Sequence, residues 1–342
     1  NFTAHISDYI QCFGPVGVAD TAFFHNGQRR IQYGREVPGT LGYSDICSHH
    51  HQIDQAFLFE ILAQHVQCRQ LVHRDIEKAL DLGGMQVAVP YWYSMHNIVL
   101  QMGLREAGLK PVIKSQDEKL APDEVNLMIM PPPDMPPALA ARKIDAFIVA
   151  EPFNAFGELK AGGKMLRFTG DMWKNHPCCV ICMNENTVAA KPEWSQKVMN
   201  AIVRAQVYAQ ENKEEVAMMM SRDGKKYLPM PGKAVVRAMT YYDEADYASP
   251  HAIRNQAEFH NGRIDFSPYP YPSATKLIVD SMNDTLVGGD KTFLKGLDAQ
   301  FVADDLVDYK HVKIAMEKHK GWENAPGVDP ANPFEREEVV KR

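Results

Sequence analysis

Residues 91–97 combine three aromatic rings, a serine hydroxyl and an imidazole in one short stretch. The run 86–89 before them follows two glycines and predicts a buried strand, which Pro90 ends. Ser94 is a good helix N-cap, and apolar residues then recur at helical spacing as far as Gly108, where we expect the helix to end. A strand, a turn and a helix N-terminus in this order direct several backbone N–H groups at one point. We therefore predict that a small molecule binds at this turn.

A second polar corner follows the apolar run 144–149, which is typical of a buried strand. Glu151 and Asn154 come directly after that run. Ligands of open α/β sheets bind at the carboxyl ends of the strands, so both side chains are candidates for a binding site. Glu151 is an equally good cap for the helix that follows, and the sequence leaves these two interpretations open.

Two clusters invite metal chemistry, namely the adjacent histidines at 49–51 and the run Cys178-Cys179-x-x-Cys182. Neighbouring side chains on an extended chain point to opposite sides, whereas zinc needs spaced ligands in a fixed geometry. We therefore predict a solvated loop at 49–51 and buried thiols on a strand at 179–183. The six cysteines show no regular disulfide framework, and most are interpreted as small buried hydrophobic residues. We expect no metal and no cofactor.

Composition excludes some classes of function. The chain has 342 residues, 45% of them hydrophobic, and a formal net charge of −6. An acidic chain with no basic stripe argues against a nucleic-acid partner. No apolar run approaches the length of a membrane-spanning helix. Because the sequence begins at Asn1 and not at Met, we expect a leader that has been removed.

The order of the predicted elements suggests two lobes. Strands and helices alternate through residues 85–181, and the pattern becomes mostly helical from Pro192 onward. We predict one inserted α/β lobe at 85–181 and a second, discontinuous lobe made of 1–84 and 182–342. The segment after Gly321 is rich in proline, asparagine and glutamate and predicts an extended tail.

Several of these segments, taken together, resemble a known family. Their order and spacing are similar to those of the solute-binding proteins of ABC importers for nitrate, bicarbonate, taurine and alkyl sulfonates. The nitrate/bicarbonate branch shares a Pro-x-x-x-x-x-His turn, here Pro90 to His96, and a Gly-Glu-Pro-Trp-Asn corner, here 151–154. The resemblance covers about residues 80–215. The matching segments are 87–90, 94–97, 131–133, 138–140, 144–147, 151–154, 171–173 and 175–177.

The resemblance implies an α/β fold of the two-lobe periplasmic-binding-protein type (type II), which closes on one small molecule in the cleft between its lobes. It further implies a periplasmic or otherwise extracytoplasmic monomer, at most peripheral to the membrane, that delivers this molecule to an ABC transporter permease and is not an enzyme. The ligand-binding candidates are Phe59, Glu60, Tyr91, Trp92, Tyr93, Ser94, His96, Asn97, Pro132, Glu151, Asn154 and Cys178.

One departure bears on the ligand. The nitrate branch continues its His-Pro pair with Glu-Lys, and the lysine helps to hold the anion, whereas this chain has Cys178-Cys179. A desolvated anion needs charge-assisted donors, so this loss weakens the case for nitrate or a sulfonate. Glu60 and Glu151 are acceptors, and the rings at 91–93 suit a planar face, unless they only pack between the lobes. We therefore favour a small, planar, nitrogen-containing organic molecule.

Two alternatives stay open at this point. His96 near a helix N-terminus is expected to be neutral and to contact the ligand, but it could instead satisfy a backbone carbonyl inside the lobe. Thiamine-pyrimidine synthases share the two-lobe fold and carry a cysteine-rich run at a similar place, so an enzyme using Cys178, Cys179 and Cys182 is the alternative function. We favour a binding protein because the sequence shows no Ser/His/Asp or metal-hydrolase constellation.

Overall fold

The computed structural model describes residues 69–72, 79–241, 243, 245, 247, 252 and 264–340. The histidines at 49–51 and the candidates Phe59 and Glu60 lie outside the described residues. No helix in these described ranges is both long and apolar enough to cross a membrane.

A six-stranded mixed sheet forms the centre of the α/β part. Its strands are β1 Arg69–Val72, β2 Gln86–Val89, β3 Lys110–Val112, β4 Glu124–Ile129, β5 Ala146–Val149 and β6 Lys164–Phe168. Their order across the sheet is β3-β4-β2-β5-β1-β6. Strands β3, β4, β2 and β5 run parallel, and β1 is antiparallel to β5 and β6. Every residue of β5 is buried, as expected for a central strand of a sheet that is covered on both faces.

Ten helices surround and follow the sheet in the described part of the chain. They are α1 Met95–Glu106, α2 Met135–Ala140, α3 Phe153–Lys160, α4 Glu185–Ala190, α5 Pro192–Glu211, α6 Lys213–Met220, α7 Gly232–Thr240, α8 Pro272–Asp284, α9 Ala299–Leu306 and α10 Tyr309–Lys318. The alternation of strands and helices up to β6 and the helical pattern after α4 agree with the sequence prediction.

The strand predicted at 179–183 is wrong for the described part of the chain, because this run does not join the six-stranded sheet. The expectation that it is buried is wrong too, since Cys179, Val180 and Cys182 are exposed. Apolar composition indicates only that a run can be buried, and burial needs a packing partner. The lobe boundaries at 84/85 and 181/182 stay a prediction.

Helix α1 is buried along two sides. Leu100 and Leu104 pack against the sheet in a cluster that includes Val87, Leu127 and Ile148. Met95, Ile98 and Val99 face another cluster, which α5, α8 and α10 supply with Val203, Met282 and Val312 among others. The side chains of Leu100, Leu104, Ile98 and Val99 are each at most 3% exposed. Helix α1 is therefore one element through which the sheet and the later helices pack together.

The predicted tail packs on the loop that follows β6. Trp173 is fully buried, pairs with Val340 in an isolated β-bridge, and donates its indole N–H to Glu338 Oε2 over 2.7 Å. The other Glu338 oxygen accepts the Ser273 hydroxyl at 2.8 Å, and Arg336 donates to both oxygens. Glu338 thus joins three parts of the chain through one carboxylate.

We predict that Glu338→Ala lowers the free energy of unfolding by about 2–4 kcal/mol, because it leaves the Trp173 indole N–H and the Arg336 guanidinium without their acceptor. The Arg336 and Glu338 side chains are only 10% and 7% exposed, so water replaces the lost contacts poorly. Urea unfolding followed by tryptophan fluorescence measures the change. Glu337→Ala is the control, since Glu337 is exposed, and an equal loss in both variants would contradict the proposed role of Glu338.

Candidate functional site

Three candidate segments meet at one edge of the sheet. In the parallel register Val89 lies beside Ile129, and Ala88 lies beside Phe147, so β2, β4 and β5 end at the same edge. The turn 91–97 follows β2, Pro132 follows β4 and the corner 151–154 follows β5. The carboxyl edge of the parallel strands thus carries the turn, the proline run and the acidic corner, as the sequence predicted.

The turn has the predicted helix start. Ser94 is the N-cap of α1, and its hydroxyl accepts the Asn97 N–H at 3.2 Å and donates to the Tyr91 carbonyl at 2.7 Å. At the other end Gly108 has φ +75°, a conformation in which a side chain would be strained. Both ends of α1 are therefore confirmed, and the Ser94 hydroxyl serves the cap.

Two of the three aromatic rings contact the segment after α8. Tyr93 lies 5.7 Å from Phe293 between ring centroids and donates its hydroxyl to the Asp290 carbonyl at 3.2 Å. A Cβ placed on Gly288 would lie 2.7 Å from Trp92 Nε1, so Trp92 rests directly on the Gly288 backbone. Tyr91 is 5.6 Å from Tyr93 between centroids. The rings at 92 and 93 thus have a packing role, which was the alternative interpretation.

The side chain of Asn97 is fully buried, and it links α1 to the same segment. Its amide nitrogen donates to the carbonyls of Trp92 at 2.7 Å and Leu286 at 3.2 Å, and its oxygen accepts from Gln101 at 2.9 Å. Gln101 in turn exchanges two hydrogen bonds with the backbone of Leu286. Asn97 therefore positions the turn, and its amide groups are engaged within the protein.

His96 is the second residue of α1 and is only 6% exposed. Its Nε2 lies 3.9 Å from Cys178 Sγ, and its Nδ1 has no hydrogen-bond partner among the described residues. Burial lowers the pKa of the His96 imidazole from 6.5 to about 4, so the ring is neutral at pH 7. The neutral state was expected from the helix N-terminus, whereas the structure assigns it to desolvation.

The corner after β5 caps the helix that follows it. Glu151 Oε2 accepts the Ala155 N–H at 3.0 Å, so the capping interpretation of Glu151 is confirmed. The amide nitrogen of Asn154 donates to the Val149 carbonyl at 2.5 Å, while its buried oxygen has no partner among the described residues. Pro132 lies half-buried at the start of a single turn, 132–134, that leads into α2.

The segment 176–179 places two thiols close to His96 of the turn. Cys178 packs against a buried cluster that includes Ala155 of α3 and Val235 of α7, while its sulfur faces His96. Cys179 is exposed, and its sulfur lies 3.8 Å from that of Cys178. No group of three or more metal-ligating side chains that could hold an ion occurs among the residues described.

His176 holds this segment in place, and sequence reasoning gave it no role of its own. Its Nδ1–H donates to the Pro177 carbonyl at 2.9 Å, so the neutral ring accepts the Thr169 hydroxyl through Nε2 at 2.8 Å. Burial lowers the pKa of this imidazole to about 4 as well. The contacts of 286–293 with the turn also escaped prediction, since nothing in that stretch marks its partners.

The parallel strands of the sheet carry a polar turn and buried, incompletely bonded polar atoms at their carboxyl edge, where α/β proteins commonly bind small molecules, and the fold is that of the periplasmic binding proteins. Residues 57–221 match the model of the NMT1-like family. This match and the relatives described next support the predicted resemblance to the nitrate/sulfonate-binding family of ABC-importer solute-binding proteins.

Among curated relatives, the nitrate/nitrite binding protein NrtA of Nostoc sp. is 26% identical over 223 residues, which cover 65% of this chain and 48% of that protein. The chain thus spans about half the length of this relative. The crystal structure of the periplasmic nitrate-binding protein NrtA from Synechocystis superposes with a TM-score of 0.62 at 16% identity, covering 81% of this chain and 76% of that one. The desulfurization enzyme DszB superposes with a TM-score of 0.51 at 14% identity, covering 80% and 83%. At these identities the two superpositions show the fold alone.

We predict that the protein loses stability in acid through its two buried imidazoles. Above pH 6.5 both are neutral in the folded and the unfolded chain and contribute no pH dependence. Between pH 6.5 and about 4 only the unfolded chain takes up these protons, so the free energy of unfolding falls as the pH falls, by on the order of 3 kcal/mol per imidazole. Urea unfolding at a series of pH values measures the slope.

His96→Gln should flatten that slope between pH 6.5 and 4, because glutamine does not titrate. His319→Gln is the control, since burial lowers the pKa of His319 but this side chain remains partly exposed. An unchanged slope in His96→Gln would show that His96 already takes up a proton in the folded protein.

Proposed function

We propose that this protein captures a small polar molecule outside the cytoplasm and delivers it to the permease of an ABC importer. The observation that carries this proposal is His96, a neutral and almost fully buried imidazole whose Nδ1 lacks a partner among the described residues at the carboxyl edge of the sheet. The similarity to nitrate/nitrite binding proteins supports the general function.

A buried polar atom without a partner is costly, and proteins usually pair such atoms. The structure shows no hydrogen bond from His96 to a backbone carbonyl within the described residues, which weakens the view of His96 as an ordinary core histidine. A ligand that bonds to Nδ1 would remove this cost on binding. The partnerless oxygen of Asn154, one strand away along the same edge, would gain from a ligand that donates.

The charges of the candidate side chains distinguish nitrate from other possible ligands. The described candidates are aromatic, hydroxyl, amide, imidazole, carboxylate and thiol side chains, and none of them carries a fixed positive charge. His96 is neutral at pH 7 and supplies none either. A desolvated anion needs charge-assisted donors, whereas a neutral molecule needs matched donors and acceptors. The proposed ligand is therefore a small, planar, nitrogen-containing organic molecule, although the NrtA relative is a nitrate/nitrite binding protein.

Binding is proposed to close two lobes, 1–84 with 182–342 and 85–181, around the ligand in a monomeric protein. Glu60 and Phe59 would contribute from the first lobe, and the turn 91–97 with the corner 151–154 from the second. Closure would exclude water from the ligand and strengthen each hydrogen bond to it.

An enzyme resembling thiamine-pyrimidine synthases is the second candidate, favoured by the shared fold of DszB, which is an enzyme, and by Cys178, Cys179 and Cys182. Its use of these cysteines to bind iron is disfavoured by their placement, since they form no group that could hold an ion among the described residues. Iron analysis and absorbance spectra of protein purified without chelators separate the two functions, because stoichiometric iron would favour the enzyme.

We predict that nitrate does not bind with micromolar affinity. Isothermal titration calorimetry with nitrate, bicarbonate, taurine and a panel of planar nitrogen heterocycles tests this directly. A co-purified molecule identified by native mass spectrometry would extend the panel, and at a hundredfold excess over Kd it should stabilise the protein by about 2.7 kcal/mol. Micromolar nitrate affinity would refute the assignment of a neutral ligand.

We predict that His96→Ala weakens binding of the ligand so identified by about 1–3 kcal/mol, because it removes the partner of a buried polar group. The melting temperature of the free protein should change little. Asn97→Ala is the matched control at a neighbouring residue. It should lower the melting temperature more than it weakens binding, since the hydrogen bonds of the Asn97 side-chain amide hold the turn to Leu286. If His96→Ala lowers the melting temperature and leaves the affinity intact, His96 is structural and the site lies elsewhere.

A further inference from the structure

Two thiols and one imidazole form a short chain of contacts at the edge of the candidate site. Cys179 Sγ lies 3.8 Å from Cys178 Sγ, which in turn lies 3.9 Å from His96 Nε2. Cys179 is exposed and Cys178 is half-buried, so a small solute reaches the pair from solvent. His96 is more than nine-tenths buried, and its ring is directed at the Cys178 sulfur.

The two sulfurs have different roles in this chain of contacts. Cys179 donates its S–H to the sulfur of Cys178, and this hydrogen bond is the main reason that the pKa of the Cys179 thiol is raised well above its ordinary value. Cys179 is therefore the thiol that keeps its proton. Cys178 receives a hydrogen bond on one side and faces the neutral imidazole of His96, a proton acceptor, on the other. An attacking sulfur beside a second, resolving cysteine is the arrangement of redox-active pairs.

We propose that Cys178 and Cys179 are a thiol–disulfide exchange site, at which a small disulfide such as glutathione disulfide oxidises the pair to a disulfide between neighbouring residues. Cys178 attacks one sulfur of glutathione disulfide, and its proton ends on the departing glutathione thiolate. Cys179 then attacks the sulfur of Cys178 and expels the second glutathione, which takes up the Cys179 proton. The protein loses two electrons and two protons, and glutathione disulfide becomes two glutathione thiols.

A disulfide between Cys178 and Cys179 would change the neighbouring candidate site. Cα atoms of adjacent residues are about 3.8 Å apart across a trans peptide, closer than in ordinary disulfides, so the bond is strained and readily reduced. Its formation shortens the distance between the two sulfurs from 3.8 Å to about 2.05 Å and so shifts the Cys178 sulfur relative to His96. The exchange is thus a reversible modification that changes the surroundings of the buried imidazole.

Treatment of the full chain with glutathione disulfide, followed by peptide mass spectrometry, tests the proposal. Trypsin cleaves after Lys174 and yields one peptide that contains Cys178, Cys179 and Cys182. In the wild type this peptide should lose two hydrogens without retaining glutathione, and dithiothreitol should restore it. Cys182→Ser is the control and should give the same result. Cys179→Ser should trap glutathione on Cys178, on the order of tenfold faster than on exposed Cys182.

Three outcomes would overturn the proposal. The loss of two hydrogens could disappear in Cys182→Ser, it could persist in Cys179→Ser, or glutathione could accumulate first on Cys182. Serine replaces cysteine with little change in size, and circular dichroism of each variant verifies that it is folded. Because the readout contains no ligand, its failure would leave the proposed binding function untouched, and a wrong ligand assignment would leave the thiol chemistry intact.

Discussion

Burial of α1 on two opposite sides is the constraint on which the rest of the described structure depends. A helix packed against a sheet on one side and against three helices on the other leaves little solvent for the polar side chains between those two sides. Asn97 and Gln101 are both fully buried, so each needs partners from the protein. The backbone of Leu286 supplies them, and this holds the segment after α8 against the turn.

The same constraint sets the chemistry of the site. Since Asn97 is anchored and Ser94 caps the helix, His96 between them cannot swing into solvent. Its imidazole stays desolvated and neutral at pH 7. The proposed site, built around a neutral ring, would therefore recognise its ligand mainly by the placement of hydrogen-bond donors and acceptors.

Contacts made by the tail after Gly321 also fix the position of the thiols. Glu338 binds Trp173 and Arg336, and three residues beyond Trp173 the ring of His176 fixes the Pro177 carbonyl. Cys178 follows immediately, so its position beside His96 results from contacts made by residues far along the chain. The proposed binding site and the two thiols are thus held in place by the same set of contacts.

Local patterns in the sequence were enough to predict the strands β2 and β5, the alternation of strands and helices up to β6, and both ends of α1. Those features depend on propensity and capping, which neighbouring residues encode. The exposure of Cys179, Val180 and Cys182, the packing roles of Trp92 and Tyr93, and the contact between His96 and Cys178 were decided only by the tertiary structure. Each depends on which distant segment arrives as a neighbour, and the burial and pKa of a side chain follow from that neighbour, because desolvation is a property of the assembled surroundings.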